Sequence, residues 1–420
     1  MNMLYNASIR LYAGAAHIAA HFSRKPRVML DGQAATLGEG LSAMAAGEPY
    51  DLWIHVASLG EYEQARPVIE EYRRRDASRR VLVTFFSPSG YEVASRRKPE
   101  GVDMAYLPFD TPANARRLIG AVRPRMAIFV KYEFWGNYLS ELRRRDIPVY
   151  LISAIFRPGQ IFFRPWGGMF RRILGCFSGI YVQDGRSADL LEGIGVENVK
   201  VAGDTRFDRV TAIRANGMRL PAIEIFKEAA PEALTLVVGS SWEADEDVYV
   251  DELKKRRTVR AVVAPHEFDD ARLRAMLARF GDAMLYTEFA VLAEADPDGA
   301  REKARALRYL IVDCFGILSS LYRYADAAYV GGGFGTGIHN INEAAVYGIP
   351  VVFGPHFGKF LEATELIAAG AATSVASASD VAAAFDSLSD SSAGASAGSA
   401  AAAYIATKVG ATLRIADDIF

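Results

Sequence analysis

Three segments of the first half of the chain set hydroxyls, carboxylates or aromatics directly after an apolar run. Ser58-Leu59-Gly60-Glu61 follows the run 52–57. A carboxylate at Glu61 could remove a proton from a hydroxyl nucleophile, and Gly60 permits close approach. The same residues form Ser-x-x-Glu, a capping box whose side chains satisfy backbone donors at a helix start. The helix field favours an ionised carboxylate, which suits a base, so both readings stand. Thr84 to Gly90 sets Ser87 and Ser89 after the run 81–86. Their hydroxyls could hold sugar or phosphate oxygens, or simply cap a turn. Lys131-Tyr132-Glu133-Phe134-Trp135 follows the run 127–130. A cation, a carboxylate and aromatics could grip a charged, polyhydroxylated substrate; an internal ion pair or a solvated edge competes.

The second half offers three more. Gly239-Ser240-Ser241-Trp242 leads into a helix, a ready anion site through backbone donors, and the acidic run 243–247 fits an ordinary first turn. Pro265-His266-Glu267 ends another apolar run and could meet a nucleotide or only cap a turn. The densest segment runs from Gly331 through Gly332, Gly333, Gly335 and Gly337 to Ile338, His339, Asn340, Asn342 and Glu343. Such glycine density lets a ligand approach the backbone. Neither a G-x-G-x-x-G register nor a G-x-x-x-x-G-K-[ST] pattern fits it. What remains is a phosphate cradle at a helix N-terminus, with Glu343 accepting from ribose hydroxyls, or a structural loop. Metal chemistry has little support in the sequence, so no metal is expected.

These segments need a scaffold that places the ends of apolar runs together. Runs at 52–57, 81–86, 127–130, 149–152 and 180–182 alternate with charged segments of helical period. The pattern pauses over 209–232, with Pro221 and Pro231, then restarts at 235–239, 261–264, 283–286, 309–312, 327–330 and 350–353. Strand and helix in alternation imply an α/β chain of two doubly wound parallel sheets, with ligands beyond the strands' carboxyl ends. A length of 420 residues with 51 % apolar residues supplies two cores. A net charge of −2 gives no field for nucleic acid. Two cysteines, Cys176 and Cys314, form no disulfide framework, which fits a reducing cytoplasm.

Residues 3–22 read as one amphipathic helix. Leu4, Leu11, Ala15, Ile18 and Phe22 share a stripe that Tyr5, Ile9, Tyr12 and Ala16 widen, and Arg24, Lys25 and Arg27 follow. A membrane-surface anchor and a helix packed on the domain are the competing readings; a secretory signal lacks a basic start. No apolar run is long enough to span a bilayer. The Ala/Ser/Gly-rich stretch 371–403 suggests a flexible or weakly packed region, although its alanines favour helix.

Taken in order, these motifs resemble the 3-deoxy-D-manno-octulosonic acid (Kdo) transferases, glycosyltransferase family 30. The resemblance rests on Ser58 to Glu61, Thr84 to Gly90, Tyr106 to Asp110, Glu133-Phe134-Trp135, Gly203 to Asp208, Pro265-His266, the loop from Gly331 to Glu343, Gly354-Pro355-His356 and Gly410-Ala411-Thr412. It implies a GT-B fold of two Rossmann-like domains facing a cleft: an N-terminal membrane-associating helix at 1–28, an acceptor domain at 29–208, a linker at 209–232, a donor domain at 233–400, and a C-terminal helix at 401–420 that returns to the first domain.

The resemblance further implies an inverting transfer of Kdo from CMP-Kdo to a lipid A precursor, without metal or other cofactor. It places the enzyme at the cytoplasmic face of the bacterial inner membrane. Glu61 becomes the base, and Ser58, Gly60, Ser87, Ser89 and Glu133 become acceptor-site residues. Ser240, Ser241, Pro265, His266, Gly332, Gly333, Gly337, Ile338, His339, Asn340, Asn342 and Glu343 become donor-site residues. The chain departs from the family at Lys131, where many members are acidic, and beside His266, where many carry an arginine, so neither Lys131 nor Glu267 is given a role. A UDP-sugar transferase of the same fold and a non-catalytic membrane partner are the alternatives.

Overall fold

The computed structural model describes residues 3–96 and 98–420. The chain divides into two units, Met1–Arg209 with Val409–Phe420, and Val210–Lys408. Each is built on a seven-stranded, wholly parallel sheet.

In the first unit the strands are β1 (Leu52–Val56), β2 (Val81–Phe85), β3 (Val102–Tyr106), β4 (Met126–Val130), β5 (Val149–Ala154), β6 (Gly179–Val182) and β7 (Val199–Val201), ordered β3-β2-β1-β4-β5-β6-β7. β1 and β2 are buried along their whole length. Helices cover both faces, which is why these strands read as unbroken apolar runs. The order reverses between β1 and β4, so their carboxyl ends border the crevice where ligands settle in such sheets. Sequence pattern misses β3 and β7. β3 carries Asp103 and is half-buried at its middle, and β7 is largely exposed; edge strands lose the apolar signature.

The second unit contains β8 (Leu234–Ser241), β9 (Val259–Pro265), β10 (Ala283–Leu285), β11 (Tyr309–Ile311), β12 (Ala327–Val330), β13 (Val351–Phe353) and β14 (Ala372–Ser374), ordered β10-β11-β9-β8-β12-β13-β14. Here β8 and β12 flank the reversal, with Val330 in register with Gly239.

The helix expected over 3–22 runs from Met3 to Ala19, and a second helix, Arg24–Ala35, follows it. The first divides its apolar residues between faces. Tyr5 and Ala16 are buried, and the Tyr5 hydroxyl donates to the buried Asp110 at 2.5 Å. Leu4, Leu11, Ile18 and Phe22 stay exposed. No helix among the described residues is long and apolar enough to cross a membrane.

The stretch 371–403 is ordered rather than loose. Helices Ala378–Ser389 and Ser391–Lys408 run through it, with Val381, Ala384 and Phe385 in the second core. Its small residues serve close packing: a Cβ on Gly398 would lie 2.3 Å from the carbonyl oxygen of Gly348. The expected C-terminal helix is interrupted at Gly410, which has φ 98. Beyond it, helix Ala411–Ile419 belongs to the first unit, where Ile415 is a core residue. Asp208 caps that helix, accepting from the amides of Gly410 and Thr412 and from the Thr412 hydroxyl. Helix Thr205–Asn216 runs across the start of the expected linker.

Candidate active site

In the first unit, Ser58 opens helix Leu59–Arg75 directly after β1. The capping box is formed: Glu61 Oε2 accepts from the Ser58 amide at 3.1 Å and from the Ser58 hydroxyl. Among the described residues no donor reaches Glu61 Oε1. The cap therefore fixes the carboxylate by one oxygen and leaves the other available. Gly90 supports this turn, since a Cβ there would lie 2.9 Å from the backbone of Ser58 and Leu59. The hydroxyls of Ser87 and Ser89 meet each other at 2.9 Å. Gly60 is exposed, and a Cβ there would meet only the Ser58 hydroxyl oxygen at 3.7 Å.

Across the reversal, β4 ends at Lys131, whose φ of 65 is left-handed, unusual for a residue with a side chain. Its ammonium lies over the Tyr132 ring at 5.5 Å. Burial raises the Tyr132 pKa, with Arg157, Arg206, Glu61 and Asp204 all close enough to act on it. Glu133 turns inward. Its Oε2 accepts from Trp135 Nε1 at 2.5 Å and faces His55 Nε2 at 3.1 Å. His55 sits on β1 and is fully buried. Sequence reasoning passed over it, although a histidine inside an otherwise apolar strand must find hydrogen-bond partners, and that was the available signal.

The second unit holds a separate pocket of about 570 Å³, lined by Trp242, Glu267, Phe268, Arg272, Gly332 and Thr336 among others. His266 stacks on Trp242 and on His339, with ring centroids 4.7 and 4.2 Å apart. Trp242 Nε1 donates to His339 Nε2 at 3.0 Å, so that nitrogen carries a lone pair. Burial, then the neighbouring His266, lowers the His339 pKa to about 4; burial lowers His266 as well, against the pull of Glu267. Both rings are therefore neutral at pH 7.

The glycine-rich loop is anchored by Asp245. That buried carboxylate accepts from the amides of Gly332 at 2.8 Å and Trp242 at 3.0 Å and from the Tyr329 hydroxyl at 3.2 Å. Burial raises its pKa. The acidic run 243–247 is thus no uniform helix start: Asp245 and Glu246 are fully buried, and Glu246 pairs with Arg272. A helical period hides this because adjacent acids look alike in sequence. The loop commits the amides of Gly335, Gly337 and His339 to its own turns.

The other expected residues fall into two groups. Ser240 lies at the end of β8 with φ 53, beside the loop: a Cβ on Gly331 would sit 2.3 Å from its carbonyl oxygen. Asn340 bonds Glu343 at 3.0 Å. Ser241 faces inward, its hydroxyl held by Tyr249 at 2.8 Å and Glu246 at 3.3 Å. Pro265 closes β9 and is buried, as are Ile338 and Asn342; the Asn342 side-chain amide has no partner among the described residues. No group of three or more His, Cys, Asp and Glu among the described residues is arranged to hold a metal ion.

The neutral histidine pair carries a pH consequence. A histidine whose folded-state pKa is depressed contributes stability that is complete above its unfolded value and is lost as pH falls toward the folded value. For His339 that window runs from about 6.5 down to about 4. Wild type should lose more thermal stability across this window than His339→Gln does. Parallel curves would refute the linkage.

Residues 21–209 match the family model described as 3-deoxy-D-manno-octulosonic-acid transferase (kdotransferase). A 3-deoxy-D-manno-octulosonic acid transferase from Bordetella pertussis is 26 % identical over 343 residues, covering 76 % of this chain and 75 % of the relative. Its counterpart from Aquifex aeolicus is 25 % identical over 323 residues, covering 75 % and 79 %. Among solved structures, a UDP-N-acetylglucosamine 2-epimerase aligns with TM-score 0.60 at 13 % identity, covering 89 % of this chain and 96 % of that one, a likeness of fold alone. Over about three quarters of its length the chain is thus similar to the Kdo transferases, a family of glycosyltransferases.

Proposed function

We propose that this relative of the Kdo transferases moves Kdo from CMP-Kdo to a lipid A precursor with inversion, at the cytoplasmic face of a bacterial inner membrane. The observation that carries the reading is Glu61, held by one carboxylate oxygen at the sheet reversal, within the segment 21–209 that matches the family model. An acceptor hydroxyl oxygen attacks the anomeric carbon of Kdo. The bond from that carbon to the CMP phosphate breaks, and CMP leaves with the electron pair. The hydroxyl proton passes to Glu61 Oε1. A single displacement of this kind inverts the centre, through a transition state of oxocarbenium character. Ser58, Gly60, Ser87, Ser89 and Glu133 surround the acceptor in this reading, and the pocket beside Trp242, His266 and the glycine-rich loop takes the donor. Backbone dipoles rather than histidine charge would meet the phosphate there, since both rings are neutral.

The exposed stripe of Leu4, Leu11, Ile18 and Phe22, with Arg24 beyond it, suits an interface with an anionic lipid surface. The transfer is read as needing no metal and no cofactor.

The test is transfer itself. The protein is mixed with CMP-Kdo, generated in situ, and a detergent-solubilised lipid A precursor, and the product is weighed by mass spectrometry with and without EDTA. A Kdo increment that survives EDTA is expected. No product across several acceptors, with UDP bound more tightly than CMP, would move the chain to the UDP-sugar alternative.

A further inference from the structure

The buried contacts around His55 allow its protons to be counted. Nδ1 lies 3.0 Å from the carbonyl oxygen of Thr84 and 3.0 Å from its hydroxyl oxygen. That hydroxyl already accepts from Trp53 Nε1 at 2.9 Å. A carbonyl oxygen can only accept, so Nδ1 carries a hydrogen. On the other side, Nε2 faces Glu133 Oε2 at 3.1 Å, and Oε2 also accepts from Trp135 Nε1. Two lone pairs cannot share that contact, so a proton lies between them. Trp135 donates to the same oxygen, so Oε2 is held from two sides. The other acid near the ring is Asp110, which takes the Tyr5 hydroxyl and the amides of Asn137 and Tyr138. The rings of Phe129 and Trp135 close the site edge-on, with centroids 5.5 and 5.9 Å away.

Both donors converge on Oε2. Among the described residues none reaches Oε1, and the Glu133 side chain keeps 11 % exposure. We propose that His55 is a positioning residue for the acceptor: its buried ring fixes Glu133 Oε2 and aims Oε1 at a hydroxyl of the acceptor sugar. The chain thereby repeats in Glu133 the device it uses in Glu61, one oxygen tied down and one presented. This rests on the acceptor-site reading of Glu133. The Thr84 and Trp53 contacts extend the support through two further strand residues, so the oxygen is aimed by the sheet rather than by a loop.

Imidazole nitrogen shifts in uniformly 15N-labelled protein test the pairing without any substrate. The His55 signals should move in Glu133→Gln, because the group facing Nε2 has changed. His55 signals that are the same in wild type and Glu133→Gln would overturn the proposal, and this readout holds even if the histidine variant fails to fold.

Kinetics test the role. Glu133→Gln and His55→Gln should each raise the acceptor KM by about 10- to 100-fold, the scale of a hydrogen bond to a charged group, with the CMP-Kdo KM unchanged. The double variant should be no worse than either alone. Fully additive losses, or a donor KM that rises equally, would overturn it. A wild type that transfers no Kdo sinks the functional reading and leaves the nitrogen spectra to judge the pair.

Discussion

Glu61→Gln is expected to lower Kdo transfer by about 10²- to 10⁴-fold, the usual worth of a general base, while the protein stays folded. The substitution separates two jobs that one side chain performs. A glutamine at the third helical position still accepts from the Ser58 amide through its carbonyl oxygen, as capping boxes with glutamine do. Stability should therefore change by well under the ~1 kcal/mol that loss of a cap costs. What glutamine cannot do is take a proton from an attacking hydroxyl. A folded variant with wild-type turnover would leave Glu61 as a cap only. Near-identical melting curves with turnover at the floor would assign the base.

Gly333→Ala should abolish donor binding and lower the melting temperature of the second unit. A Cβ at Gly333 would lie 2.6 Å from the backbone of Gly354, where no side chain can swing aside. One of the two segments must move. The amide of His356 donates to the Gly333 carbonyl at 2.9 Å, so the segment after β13 moves with the loop. Overpacking of this kind costs about 1–3 kcal/mol, and displacing the loop also disturbs the Gly332 amide held by Asp245. The control is Gly335→Ala. Its Cβ would meet only the Gly332 carbonyl at 3.6 Å, an ordinary contact on an exposed turn. Calorimetric titration with CMP should show binding reduced more than tenfold in Gly333→Ala and little changed stability in Gly335→Ala. Equal behaviour of the two variants would show that the close approach to Gly354 does not shape the site.

The chain's fold was legible where burial is two-sided. β1, β2, β4 and β12 are predominantly apolar because helices cover both faces, and such runs announce themselves without an alignment. The segments after them were legible for the same reason: Glu61 and Glu133 stand at the ends of β1 and β4, and the glycine-rich loop at the end of β12. Edge strands β7 and β14 were not, since a strand with one neighbour and exposed residues carries no such run.

Residue type and spacing by themselves determined two parallel-sheet units, a carboxylate and a glycine-rich loop at strand ends, and the order of motifs that resembles the Kdo transferases. Tertiary structure alone decided what each polar side chain does. It gave Asp245 and Glu246 to the interior while Glu243 and Asp247 stayed outside. It turned Ser241 inward, and it split the N-terminal helix between a packed face at Tyr5 and an exposed stripe at Leu4, Leu11 and Ile18. It brought together His55 of β1, Thr84 of β2 and Glu133 from the segment after β4. The reason is physical: periodicity reports which residues share a face, but a hydrogen bond depends on what lies opposite, and the residues opposite come from distant parts of the chain.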